Sequence, residues 1–168
     1  TASHNTAVGY RTLQQNTTGQ FNSGFGKYAL QNNTTASNNT AVGYASLGAN
    51  TTGYDSVAVG RNALDANTTG SVNTTGNSNT CVGVNAGISS TTGSNNTLLG
   101  KDAGRSGSPG GPVTTDSNVV ALGDENVASL HCQTALTVSS DQRDKTDFTD
   151  LDLGLDFVKA LAPVTYKW

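Results

Sequence analysis

Methionine is absent from the 168 residues, tryptophan occurs once, cysteine twice and proline three times. Apolar residues make up 34% of the chain, against roughly 45–50% in an ordinary globular domain. That shortage argues against the broad core of a compact enzyme. Charge is equally scarce at 12%, and nine bases against twelve acids leave a net −3. A basic nucleic-acid surface and an acidic disordered tail are both disfavoured by that balance. No stretch approaches the ~18 consecutive apolar residues of a membrane span, and Thr1-Ala2-Ser3-His4 does not open a signal peptide. The chain starts inside a repeat and stops at Trp168, as expected of a piece of a longer polypeptide. Cys81 and Cys132 have no CxxC partner, so both read as small buried apolar side chains rather than a disulfide or metal site.

What is abundant is small and polar: Gly, Asn, Thr and Ser together account for 79 of 168 residues. The composition changes near position 140. Residues 1–140 carry eleven of the twenty-one charges, and residues 141–168 carry the other ten. Only one of the twenty glycines, Gly154, follows that point. The sequence therefore divides into a long repetitive module (1–127), a connector (128–140) and the start of a charged, helix-competent module (141–168).

The repeat is anchored on glycine. Asn5-Thr6-Ala7-Val8-Gly9-Tyr10 recurs as Asn22-Ser23-Gly24-Phe25-Gly26-Lys27 and Asn39-Thr40-Ala41-Val42-Gly43-Tyr44, and it continues through Gly60, Gly83, Gly100 and Gly123. The anchors are spaced 17, 17, 17, 23, 17 and 23 residues apart. Such a period is the signature of stacked coils, and the two six-residue excesses predict exterior loops, at about Asn67–Ser78 and Arg105–Ser117.

Two positions share a strand face by alternation. One is the apolar residue before each anchor (Val8, Phe25, Val42, Val59, Val82, Leu99, Leu122), and the other lies two residues earlier (Thr6, Ser23, Thr40, Val57, Thr80, Thr97, Val120). A third column, four after the anchor, reads Leu13, Leu30, Leu47, Leu64, Gly87, Gly104 and Val127. With about two inward apolar side chains per coil, the Asn-Thr-Thr-Gly linkers supplying turns in water, a lone chain is poorly stabilised. The expectation is an all-β, homotrimeric parallel β-roll or β-helix of ~17-residue repeats in which three chains share their apolar columns. The alternative is one chain closing a single β-helix.

The unit Asp55-Ser56-Val57-Ala58-Val59-Gly60-Arg61-Asn62-Ala63-Leu64 resembles the head repeat of trimeric autotransporter adhesins, and its Asn-Thr-Ala-Val-Gly-Tyr versions resemble repeats of phage tail fibres. The resemblance implies a left-handed parallel β-roll built by three chains. It covers roughly residues 1–127, with a repeat longer than the adhesins commonly have.

In the second module, Leu151, Leu155, Val158 and Ala162 form one apolar stripe at helical spacing, capped by Thr149 or Asp150 and ended by Pro163. Ser140-Asp141-Gln142-Arg143-Asp144-Lys145, this helix and Pro163-Val164-Thr165-Tyr166-Lys167-Trp168 together resemble the opening of the intramolecular chaperone domain of endosialidase-type tailspikes. The resemblance implies trimer assembly followed by self-cleavage between Ser140 and Asp141. Ser140 would be the nucleophile and Lys145 its base, with Asp141 and Arg143 at the other fixed positions. A serine hydroxyl needs such a base, and a cation near Lys145, here Arg143, would lower its pKa. The competing reading makes Ser140-Asp141 a helix cap and the two bases solvated charges.

Other chemistry is thinly supported. The acids before position 141 (Asp55, Asp65, Asp102, Asp116, Asp124, Glu125) are scattered, so no glycosidase pair is expected. Calcium-binding nonapeptides are absent and ice binding by threonine arrays is disfavoured. His131 beside Cys132 would meet a metal only if three copies converged on an axis; no cofactor is expected. The Asn-x-Thr sequons read as turn chemistry, and Tyr10, Tyr44 and Tyr54 either pack or stack on sugars. The functional expectation is a structural, host-attaching part of a phage tail fibre or spike in the virion. It would bind a cell-surface receptor and other tail proteins, with no nucleic acid and no membrane insertion. A bacterial trimeric adhesin head at the cell surface is the alternative.

Overall fold

The structure, a computed structural model, describes residues 1–65, 75–108 and 110–133. Seven three-residue strands follow the repeat: β1 (Thr6–Val8), β2 (Ser23–Phe25), β3 (Thr40–Val42), β4 (Val57–Val59), β5 (Thr80–Val82), β6 (Thr97–Leu99) and β7 (Val120–Leu122). They pair in chain order as one parallel sheet. Each coil thus lays one strand beside the next, and residues Thr1–Ser129 form one compact unit. The described part is all-β, as expected. Register passes through both long intervals without a slip, Ala58 pairing with Cys81 and Leu98 with Ala121. The six extra residues are therefore accommodated outside the ladder.

The coil's interior is not where the apolar column of the sequence places it. From β2 onward each strand turns its middle residue inward: Gly24, Ala41, Ala58, Cys81, Leu98 and Ala121 are buried, whereas Ala7 in the end strand β1 is exposed. The flanking columns, expected inside, face outward instead. The reason is width: where a corner leucine fills the coil, as beside β2, β3 and β4, the strand centre has room only for Gly or Ala. The rest of the core comes from the corner after the anchor, where Ala29, Ala63, Ala86 and Ala103 are buried together with Leu30, Leu47 and Leu64. Core closure by one chain is the arrangement that the sequence left as the alternative to a core shared by three. Val127, assigned to the leucine column, is exposed.

That leucine column carries a backbone constraint. Leu13, Leu30, Leu47 and Leu64 all have left-handed φ, between 51° and 53°. Gly87 (φ 65°) and Gly104 (φ 73°) occupy the same place in later coils, where the strand centre enlarges to Cys81 and Leu98. A Cβ on Gly104 would stand 2.9 Å from Leu98 Cδ1. Volume removed at the corner is thus returned at the strand, which keeps the packing filled. The anchor glycines are required twice over. Gly43 has φ 132°, outside the range of L side chains, and a Cβ there would strike the carbonyl of Gly60, 2.7 Å from its carbon.

Polar residues run through the interior as well. Asn22, Asn33, Asn39, Asn50, Asn79 and Asn96 are buried, although the Asn-rich linkers read as watery turns in the sequence. In the first ladder the Asn22 side chain donates to the Ala36 carbonyl (2.8 Å) and accepts from the Asn39 backbone N–H (3.0 Å). Asn39 repeats this with the Gly53 carbonyl and the Ser56 N–H, at 2.9 and 3.0 Å. A second ladder links Asn50 to Asn33 (3.1 Å) and Asn33 to Asn16 (3.0 Å) through their side-chain amides. Buried amides are tolerated because they bond one another and the turn carbonyls, Asn50 Oδ1 being the one buried side-chain polar atom among the described residues without a partner.

Candidate assembly face

The outward face of the sheet follows from the same alternation that fills the coil. With the middle residues of β2 to β7 inside, Val8, Phe25, Val42, Val82, Leu99 and Leu122 stand on the exterior beside Val57 and Val120, 38% to 70% exposed. Seven strands stacked at the usual inter-strand spacing make this stripe roughly 29 Å long. Threonine or serine fills the neighbouring column in β1, β2, β3, β5 and β6. Contiguous exposed apolar surface on a soluble protein marks a contact surface. A regular face composed mostly of valine and threonine can pack against a like face.

At the far end of the unit, the second insertion makes a charged corner. Lys101 Nζ lies 2.6 Å from Asp102 Oδ2 and 3.5 Å from Asp124, and Arg105 reaches the other Asp102 oxygen at 3.1 Å. The hydrogen bond from Lys101, then that from Asn85, holds the Asp102 carboxyl down at about 2. Asp102, Arg105, Ser106, Gly107 and Glu125 line a shallow open depression here. The insertion is not wholly exterior, contrary to the sequence expectation. Ser108 is buried and donates to the Gly123 carbonyl (2.8 Å), and buried Val113 joins the core. The segment is thereby fastened to the last coil.

Two buried titratable groups have no partner chemistry that suggests catalysis. Asp65 is pushed up to about 6 by desolvation, opposed by a hydrogen bond from Ala49. Burial pushes the Cys81 thiol up to about 12, so it is an inert core atom. Cys132 is exposed, against the expectation that both cysteines are buried. His131 is exposed too, and no group of three or more His, Cys, Asp or Glu side chains converges among the described residues. No helix among the described residues is long and apolar enough to cross a membrane. Ser140, Asp141, Arg143 and Lys145, the helix expected at 149–162 and most of the Asn67–Ser78 loop lie outside the described residues.

The sequence reading singled out Tyr10, Tyr44 and Tyr54, and all three are exposed. It missed Tyr28, which lies between Tyr10 and Tyr44 in space. The signal was present, since Tyr28 is two residues past its anchor where Tyr10 and Tyr44 are one past theirs.

Residues 140–168 match the family model described as the chaperone of endosialidase. The match falls on the segment whose Ser-Asp-x-Arg-x-Lys start and Pro-Val-x-Tyr-x-Trp end carry the resemblance, and it supports the chaperone reading of that segment. No curated protein and no solved structure matches the chain.

Proposed function

We propose that this chain is a structural, host-attaching component of a phage tail fibre or spike. Residues 1–127 form the repetitive shaft, 128–140 connect it, and 141–168 begin an intramolecular chaperone that brings three copies together. The observation that carries the reading is the outward apolar column of the sheet. Each coil closes its own core, so this second apolar surface serves no purpose inside one chain and is suited to a like face on two others. The role of the trimer thus differs from the first expectation: three copies share outer faces rather than completing one another's interiors. The chaperone match at 140–168 supports the same assembly.

Self-processing belongs to this proposal. Ser140 supplies the hydroxyl, Lys145 takes its proton, and Asp141 and Arg143 complete the local arrangement for one cut at Ser140–Asp141. The repeat also suits a bacterial adhesin head, and a downstream membrane β-barrel in the full gene would choose that reading.

Sedimentation of the full chain tests the assembly. A trimer that falls to monomer in Val42→Asp and Val82→Asp, each retaining its β circular dichroism, is the expected outcome. A stable wild-type monomer at micromolar concentration refutes it. Mass spectrometry of the longer gene product should find a fragment ending at Ser140, absent in Ser140→Ala.

A further inference from the structure

We propose that the corner formed by Tyr10, Arg11, Lys27, Tyr28, Tyr44 and Arg61 binds a linear acidic polysaccharide laid along the solenoid axis. The rings form a ladder, with Tyr10 and Tyr28 centroids 5.8 Å apart and Tyr28 and Tyr44 5.7 Å apart, both in edge-to-face arrangement. Cations lie on it: Lys27 Nζ is 4.8 Å from the Tyr28 ring centre and 5.6 Å from that of Tyr10, and Arg11 is 5.2 Å from Tyr10. Among the described residues, no carboxylate pairs with Arg11, Lys27 or Arg61, whereas Lys101 and Arg105 are both paired. The corner is thus an unneutralised positive strip with aromatic faces.

Geometry selects a polymer. The repeat brings equivalent corner positions round once per coil, at the strand spacing of about 4.8 Å, which is comparable with the length of one sugar unit. From Tyr10 to Arg61 the strip spans four coils, or roughly 14 Å. Tyrosine rings offer flat apolar faces to the C–H side of a pyranose, and the cations between them suit its carboxylates. The strip is also directional. Farther along, the same two columns run to Val84 and Asn85, then Lys101 and Asp102, then Asp124 and Glu125, with Lys101 paired to both Asp102 and Asp124. An acidic chain is attracted at the first coils and meets no unpaired Lys or Arg farther along among the described residues. Nucleic acid fits less well, because the rings meet edge to face and offer no run of parallel platforms for successive bases.

The inference rests on the attachment reading and names its ligand class. The test titrates the full chain at low ionic strength with polygalacturonate oligomers, with dextran oligomers as the neutral probe and a single-stranded oligonucleotide as the other polyanion. Polygalacturonate should bind, weaken with added salt, and exceed dextran by about tenfold or more. Lys27→Gln and Tyr28→Ala should each lower its affinity by about five- to tenfold, with Tyr54→Ala, an exposed aromatic off the ladder, unchanged. If Tyr28→Ala loses its β circular dichroism, Lys27→Gln alone decides. Absent binding, unaltered affinity in Lys27→Gln, equal binding of dextran, or tighter binding of the oligonucleotide would each overturn the inference. Sedimentation of the same preparation keeps the two readings apart. A trimer that ignores polygalacturonate refutes only this site, and a monomer that binds it refutes only the assembly.

Discussion

The two asparagine ladders meet at shared carbonyls, and this makes a sharp energetic prediction. The Gly53 carbonyl accepts from both Asn39 Nδ2 and Asn50 Nδ2, each at 2.9 Å. Gly19 likewise accepts from Asn5 and Asn16, and Ala36 from Asn22 and Asn33. In Asn39→Ala the Gly53 carbonyl keeps Asn50, and the group orphaned is the Ser56 N–H. One buried unsatisfied group costs about 1–3 kcal/mol. In Asn50→Ala the carbonyl keeps Asn39, and the Asn33 Oδ1 loses its donor from Asn50 at a similar cost. Only the double variant strips the carbonyl of both side-chain donors. The double-mutant cycle should therefore show an extra destabilisation of about 1–3 kcal/mol beyond the sum of the singles. Urea unfolding by circular dichroism, at one fixed protein concentration because assembly adds to apparent stability, measures all four species. Additivity within about 0.5 kcal/mol would show that the shared carbonyl does not couple the ladders.

Other predictions follow from single positions. Gly43→Ala combines a φ barred to L residues with a backbone collision, so it should abolish soluble folded protein. Gly111→Ala, with φ 85° but nothing within 4 Å, should cost only about 1–3 kcal/mol of strain, read as a modest fall in thermal midpoint. Leu98→Ala should cost about 2–5 kcal/mol. Gly104→Ala should be less harmful in that background than in wild type, since the side chain it meets is gone; an equal penalty in both backgrounds would show that strain alone governs the site. Asp65 binds its proton more tightly in the fold (about 6) than in the unfolded chain (3.8). The fold therefore holds more protons in that interval, and stability should fall as pH rises from about 4 to 6 by up to roughly 3 kcal/mol. Asp65→Asn should flatten that interval in pH-dependent melting. Asp102, held down at about 2, acts oppositely, losing stability as pH falls below about 4.

The period, the anchors and the insertions were legible in the residues, because each is a local requirement. Gly9, Gly26, Gly43 and Gly60 stand where coils touch and φ is positive, and no other residue type serves. The C-terminal pattern was legible for a similar reason, as several fixed side chains at set offsets. The asparagines were misread: their polarity suggests water, but in the fold they bond partners three to twenty-three residues away, and a linear scan does not bring those partners together. The arrangement of Tyr10, Tyr28 and Tyr44 was hidden likewise, since only stacking makes neighbours of residues in different repeats.

By itself the sequence determined that Thr40 and Val42, and their equivalents in every coil, share one side of a strand, because alternate residues point the same way. It did not determine which side. Parity is satisfied equally with that pair inside or outside, and only closure of the coil decides. Once Leu30, Leu47 and Leu64 and the asparagine ladders occupy the interior, the space left at the strand centre admits Gly24, Ala41 or Ala58, and the larger apolar side chains are turned out to the surface.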